Sequence, residues 1–201
     1  MNSCSKFCSK DQRCVGIETC QIRSDLFQCR VCCEWKKMGN NVDEQPGCKY
    51  LEMNNGNGEN LASTANLSTV HVHHGKPLAA SHAVDGLVLC PNISQMASTI
   101  YERNPWLAID LKKKDSNVKS VVLYNRQNCC GNRLHDVHVN IIGNGKNYSC
   151  GFYPGPAITG DRIVVLCRNG AFGSSITIQI SSNNGESDVL SLCEVEVYSR
   201  P

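Results

Sequence analysis

Cysteine is the residue that most constrains what this chain can become. Fourteen of its 201 residues are Cys, a density that suits oxidised extracellular domains and not a reducing cytosol. Secretion is therefore the expected compartment. Cys4, Cys8, Cys14, Cys20, Cys29, Cys32, Cys33 and Cys48 crowd the first part, while Cys90, Cys129, Cys130, Cys150, Cys167 and Cys193 are spread over the rest. Both sets are even, so each part can close its own bridges. Between them lies Met53-Asn-Asn-Gly-Asn-Gly-Glu-Asn60, a polar stretch that cannot bury a face and reads as a linker. The expected organisation is a disulfide-stapled module over 1–52, a linker over 53–59 and a larger domain over 60–201.

Lys6, Lys10, Asp11 and Arg13 leave no room for an apolar leader near Met1, so a secretory leader is expected to have been removed ahead of it. The sequons at Asn66, Asn92 and Asn147 agree with that route, although so short a pattern recurs by chance. The first module has few aliphatic residues beyond Val15, Ile17, Ile22, Leu26, Val31 and Leu51. Its stability must come from disulfides. Cys29-x-x-Cys32 with Cys4 and Cys8 has zinc-ligand spacing, but an oxidising compartment favours bridges over thiolates.

Lys plus Arg number 20 against 18 Asp plus Glu, so no long-range field draws in nucleic acid or an anionic membrane. No apolar run approaches the roughly 20 residues of a spanning helix. Catalytic patterns are also missing: no Gly-x-Ser-x-Gly elbow, no His-Glu-x-x-His and no phosphate-binding glycine loop. A binding protein is expected, not an enzyme. His71-Val-His-His74 would put His71 and His73 on one face if extended, as a metal pair or, without a third ligand, an exposed polar cluster. Lys112-Lys-Lys114 would be a sulfated-glycan contact or a solvated turn after a strand.

The larger part alternates as strands do. In Ser174-Ser-Ile-Thr-Ile-Gln-Ile180, Ile176, Ile178 and Ile180 share a face, and in Leu192-Cys-Glu-Val-Glu-Val197, Cys193, Val195 and Val197 are expected inward. Further strands are expected over 106–111, 118–124, 137–142 and 162–167, with turn clusters such as Gly143-Asn-Gly145 between them. Many short strands with turn chemistry imply an all-β antiparallel sandwich or jelly roll.

The sharpest motif is Asn125-Arg-Gln-Asn-Cys-Cys-Gly-Asn-Arg-Leu134. Adjacent α-carbons lie about 3.8 Å apart, below the usual disulfide span. A Cys129–Cys130 bridge would be a strained ring forming a rigid apolar knob. Arg126 and Arg133 flank it with donor forks that suit the oxygen-rich edge of a sugar. The alternative is that each cysteine reaches a different strand and the arginines make ordinary surface contacts.

The segment from about 60 to 199 resembles an F-type lectin (fucolectin) domain. The matching motifs are Glu59-Asn-Leu-Ala62, Ser81-His-Ala-Val-Asp-Gly86, Asn104-Pro-Trp106 with Ile109-Asp-Leu111, Asn125-Arg126 through Cys129-Cys-Gly-x-Arg-Leu134, and Leu192-Cys-Glu-Val-Glu-Val197. The resemblance implies an eight-stranded, discoidin-like jelly roll that binds glycans, with terminal fucose held by a His, two Arg and a vicinal disulfide. Arg126, Arg133, Cys129 and Cys130 match those positions. The loop histidine falls near Ser98 or Thr99, where this chain carries hydroxyls, and the acidic residue between the arginines is Asn128, expected to support an arginine.

The resemblance also implies bridges Cys150–Cys167 and Cys90–Cys193. It implies a structural Ca2+ held by the carboxylates of Asp85 and Glu194 and by carbonyls around His82, Leu87, Met96 and Cys193. The competing view of Asp85 is a simple Asp-Gly turn cap. The functional expectation is a secreted, calcium-stabilised lectin, with oligomeric state left open. Its rival is an extracellular adhesion or matrix module that binds protein and has lost the sugar site.

Overall fold

The structure is a computed structural model and describes residues 16–21, 27–32, 48–52, 59–183 and 186–199. In the cysteine-rich part, β1 (Gly16–Gln21), β2 (Phe27–Cys32) and β3 (Cys48–Glu52) form an antiparallel sheet in the order β2-β1-β3. Thr19 lies opposite Cys29 and Cys20 opposite Cys48. Cys29 is disulfide-bonded, which removes it as a thiolate ligand for zinc. Cys4, Cys8 and nearly all of the expected linker lie outside the described residues.

The larger part begins with β4 (Ala62–Leu67), the small hairpin β5 (Val72–His73) and β6 (Lys76–Pro77), and β7 (Ala97–Ser98). It continues with β8 (Trp106–Leu111), β9 (Ser116–Asn125), β10 (Val137–Gly143) and β11 (Lys146–Tyr153). β12 (Arg162–Gly173), β13 (Ser175–Ile180) and β14 (Ser191–Ser199) complete it. A five-stranded sheet, β11-β10-β13-β8-β4, faces a four-stranded sheet, β12-β9-β14-β7. With the two-residue β7 set aside, these are the eight strands of a discoidin-like jelly roll. All pairings are antiparallel.

Alternation accounts for the core between the sheets. Ile176, Ile178 and Ile180 are fully buried with Leu107, Ile109, Val137, Val139 and Ile141, and they meet Val121, Leu123, Ile163, Val165, Val195 and Val197 from the other sheet. Burying each such side chain contributes about 1.5–3 kcal/mol before the entropy of ordering is subtracted. The bridge Cys150–Cys167, with Cα atoms 4.1 Å apart, ties β11 of one sheet to β12 of the other. β4 and β11, which the periodicity did not single out, are the two edges of the five-stranded sheet. Edge strands need little apolar alternation, and four of the first residues of β11 are exposed.

One expectation is corrected. Cys193 does not share the inward face of Val195 and Val197; it packs with Cys90, Met96, Val122, Tyr124 and Val164 on the outer face of the four-stranded sheet. A bulge between Leu192 and Glu194 resets the pleat there. The Cys90–Cys193 bridge, with Cα atoms 5.6 Å apart, fastens the segment carrying Cys90 and Met96 over this face. Among the described residues, no helix is long and apolar enough to cross a membrane.

Candidate functional site

The site lies where β9 ends. Asn125 is buried and acts as a staple: its side-chain amide donates to the carbonyls of Gly131 at 3.0 Å and Ile158 at 2.9 Å, and its Oδ1 accepts from Arg126 N at 2.9 Å. The loop after it is thereby folded back on itself. Gly131 opens a short 3-10 turn, Gly131–Arg133, and its N–H donates to Thr159 Oγ1 at 3.1 Å. A Cβ at Gly131 would overlap the Thr159 backbone, so only glycine permits this approach. Gln127 ties the loop to the Cys90 segment, donating to Val88 O at 2.8 Å and accepting from Cys90 N at 3.2 Å.

Cys129 and Cys130 are bonded to each other, with Cα atoms 3.8 Å apart and Cys130 in the left-handed region at φ 56°. The alternative of separate partners for these cysteines is therefore set aside. The pair borders a cleft of about 200 Å³, to which Arg126, Arg133, Ser98, Thr99, Tyr101 and His71 also contribute. Arg126 is only 4% exposed. Asn128 orients it, with Oδ1 accepting from Nε at 3.2 Å and from Nη2 at 2.9 Å. Burial lowers the Arg126 pKa, and the neighbouring Arg133 charge adds to that. Arg133 donates from Nη2 to Tyr101 Oη at 2.6 Å and lies 5.3 Å from the centre of that ring.

Ser98 and Thr99, near which the resemblance puts the family's loop histidine, do not project into the cleft as free hydroxyls. Both are buried in its lining, Ser98 closing β7 and Thr99 just beyond it. Ser98 Oγ meets Ser191 Oγ at 2.8 Å, and Thr99 Oγ1 accepts from Leu190 N at 3.1 Å, so both hydroxyls already have partners. The histidine that lines this part of the cleft comes from another segment. Val70 pairs with Thr99, and His71 N donates to Ser98 O at 2.9 Å, which sets His71 beside the two hydroxyl residues.

Of the lining residues that the sequence did not assign to the cleft, His71 and Tyr101 are the polar ones, beside the apolar Leu78, Ile93 and Val189. The alternation of His71 with His73 was the available signal, and their stacked rings, 6.3 Å apart, bear out the shared face. His71 is half-buried and lines the cleft, so it is neither an exposed cluster member nor one of three converging metal ligands. Lys112 and Lys113 pair with Glu59 at 3.5 and 3.6 Å on an exposed turn that follows β8.

A second constellation lies by the Cys90 segment. Glu194 faces away from Val195, as expected, but it is fully buried. Its Oε2 accepts from Gly86 N at 3.0 Å, while Oε1 has no hydrogen-bond partner among the described residues. Burial pushes its pKa up to about 8 against the Gly86 hydrogen bond, with the Asp85 and Glu196 charges raising it further. Asp85 Oδ1 caps the turn by accepting from Leu87 N at 2.9 Å, and its Oδ2 lies 3.6 Å from His82 Nδ1. Gly86 has φ 82°, the conformation such a turn requires. Met96 and Cys193 are buried in the adjoining cluster. Among the described residues, no three side chains of His, Cys, Asp or Glu converge as a metal site.

Residues 82–154 match the family model described as NedA-like, galactose-binding domain. Fucolectin-1 of Anguilla japonica is 32% identical over 100 residues, 47% of this chain and 52% of that protein, so the chain spans about half the length of that relative. Among solved structures, a His 62 mutant of the lectin binding domain of lectinolysin, complexed with Lewis b, superposes with a TM-score of 0.58 at 27% identity. That match covers 72% of this chain and 98% of the lectin domain, and carries the sandwich fold. Fucolectin-4 of Anguilla japonica is 30% identical over 131 residues, 62% of this chain and 69% of that protein. With two thirds of a curated relative matched at that identity, on a sandwich shared with a lectin domain, this chain belongs to the fucolectin family.

Proposed function

We propose that this chain is a secreted lectin that binds fucosylated glycans in the cleft between Arg126, Arg133 and the Cys129–Cys130 bridge. The observation that carries this reading is the meeting, in one cleft, of two guanidinium forks and an exposed disulfide. The disulfide is the apolar surface on which one face of a sugar ring rests. The arginines donate to the ring hydroxyls and the ring oxygen, each such charged hydrogen bond contributing about 1.5–3 kcal/mol. Their geometry is held by Asn128 and Tyr101, so little entropy is lost on binding. His71 supplies the imidazole of the cleft, from the segment that Val70 bridges to Thr99 instead of from the loop of Ser98 and Thr99. The relatives' names and the Lewis b complex of the lectinolysin domain support a fucosylated ligand.

The Glu194 constellation fits a structural calcium. A buried carboxylate with one oxygen unpartnered among the described residues, near the second carboxylate of Asp85, is the hard anionic pair such an ion takes, and carbonyls of His82, Leu87, Met96 and Cys193 would complete its shell. When bound, the ion would neutralise Glu194 and hold the 84–96 segment. That segment reaches the sugar loop through Gln127. Titration calorimetry with methyl α-L-fucoside and fucosylated oligosaccharides, on wild type and Arg133→Ala, tests the reading. The variant is expected to bind more than about tenfold more weakly with an unchanged circular dichroism spectrum. Equal affinity of the two proteins would reject the site.

A further inference from the structure

The charge balance of the cleft goes further than the family likeness. Arg126 is almost wholly buried and stays charged at physiological pH. Its partner is Asn128, a neutral amide that accepts from two of its N–H groups, where a carboxylate would have cancelled the charge. Arg133 likewise rests on a neutral phenol, that of Tyr101. Among the described residues, neither arginine is paired with a carboxylate.

The acids at this end of the sandwich are committed elsewhere. Glu102 accepts from the hydroxyls of Ser68 and Thr69. Asp161 accepts from Ile158 N at 2.7 Å, and Asp188 lies 3.3 Å from His135 Nε2. Two like charges therefore share one small cleft, one of them buried, with no counter-charge built in. An uncompensated buried charge is costly, and the arrangement is relieved when an anion arrives.

We infer that the cleft prefers an anionic sugar, carrying a sulfate ester or a carboxylate on the edge that faces Arg126 and Arg133, over the neutral parent sugar. This rests on the sugar-binding reading above and names the ligand class of the same cleft. The planar fork of Arg matches the oxygen pairs of sulfate and carboxylate, while the Cys129–Cys130 knob still receives the apolar face of the ring. The chain as a whole carries only +2, so the selectivity is local, and a bare anion without a ring gains little from it.

The test is calorimetric titration of the full chain with methyl α-L-fucoside, its 2-, 3- and 4-O-sulfates, methyl α-D-galacturonoside and inorganic sulfate. At least one acidic sugar is expected to bind on the order of tenfold tighter than the neutral fucoside. Which of the acidic sugars does so separates sulfate ester from carboxylate. Asn128→Asp, on an exposed side chain, returns a carboxylate to Arg126 and is expected to erase that ratio. Asn128→Ala, which loosens Arg126 without adding charge, should weaken neutral and acidic sugars alike. Neutral fucoside binding as tightly as every acidic sugar overturns the inference and leaves the lectin reading standing. Inorganic sulfate binding as tightly as the sulfated sugars also overturns it, since the cleft would then be an ion site. No binding by any saccharide overturns both.

Discussion

The backbone N–H of His71 donates to the carbonyl of Ser98 at 2.9 Å, and His71 lines the same cleft as the buried Ser98 and Thr99. A histidine therefore stands in the cleft although its own position in the chain lies far from the loop where the family's pattern puts one. His71→Ala is expected to weaken fucoside binding about tenfold, the loss of one good polar contact. His71→Gln should recover part of it, because an amide also donates and accepts. The melting temperature should hold in both variants, since the side chain is half-exposed and outside the core. Calorimetry alongside thermal denaturation separates these effects, and unchanged affinity in His71→Ala would remove the ring from the site.

The sequence shows His71 alternating with His73, but not its place in the cleft. Ile176, Ile178 and Ile180 were legible because a half-buried strand must alternate, and one residue predicts the next. Arg126, Cys129, Cys130 and Arg133 were legible because one short loop carries them all. His71 and Tyr101 reach the cleft only through the long-range bridge between Val70 and Thr99 and through the Arg133 hydrogen bond, which no local pattern encodes. Cys193 was assigned the wrong face for a related reason. Alternation assumes an unbroken pleat, and the bulge at Leu192–Glu194 breaks it.

Gly131 tests how closely the sugar loop is folded against its neighbour. A methyl group there meets the backbone of Ile158 and Thr159, which cannot yield as a flexible side chain would. Gly131→Ala is expected to cost about 1–3 kcal/mol of unfolding free energy and to displace Arg133, so sugar affinity falls with it. Urea denaturation reads the first effect and calorimetry the second. A variant as stable as wild type would mean that the loop adjusts as a unit.

The Glu194 pocket makes a pH prediction for chelated protein. The folded-state pKa of Glu194, about 8, stands above the ordinary 4.5. A raised carboxyl pKa favours the folded state when protonated, so this contribution is complete below about 4.5 and is lost as pH rises through about 8. In chelator, thermal stability should decline over that window, and Glu194→Gln, neutral throughout, should flatten the decline. Adding calcium at pH 8 should raise the melting temperature of wild type and not of Glu194→Gln. Equal responses of the two proteins to calcium would place the ion elsewhere or nowhere.

The disulfides should separate by what they close. Cys90 and Cys193 are 103 positions apart, and in the chain-entropy model a loop of that size contributes about 4–5 kcal/mol by restricting the unfolded chain. Cys129 and Cys130 are neighbours, so their bond restricts the unfolded chain hardly at all and can matter only through the surface it offers. Replacing Cys129 and Cys130 together by Ser should therefore leave the denaturation midpoint nearly unchanged while sugar affinity drops severalfold. Replacing Cys90 and Cys193 together by Ala should lower the midpoint sharply, and it should weaken sugar binding as well, because Gln127 is hydrogen-bonded to Cys90 N and Val88 O within the segment that this bridge fastens. Comparing the two double variants by urea denaturation and fucoside titration decides the matter. If loss of the vicinal bond left affinity intact, the Cys129–Cys130 knob would be a feature of loop geometry alone, and the arginines with His71 would account for the binding by themselves.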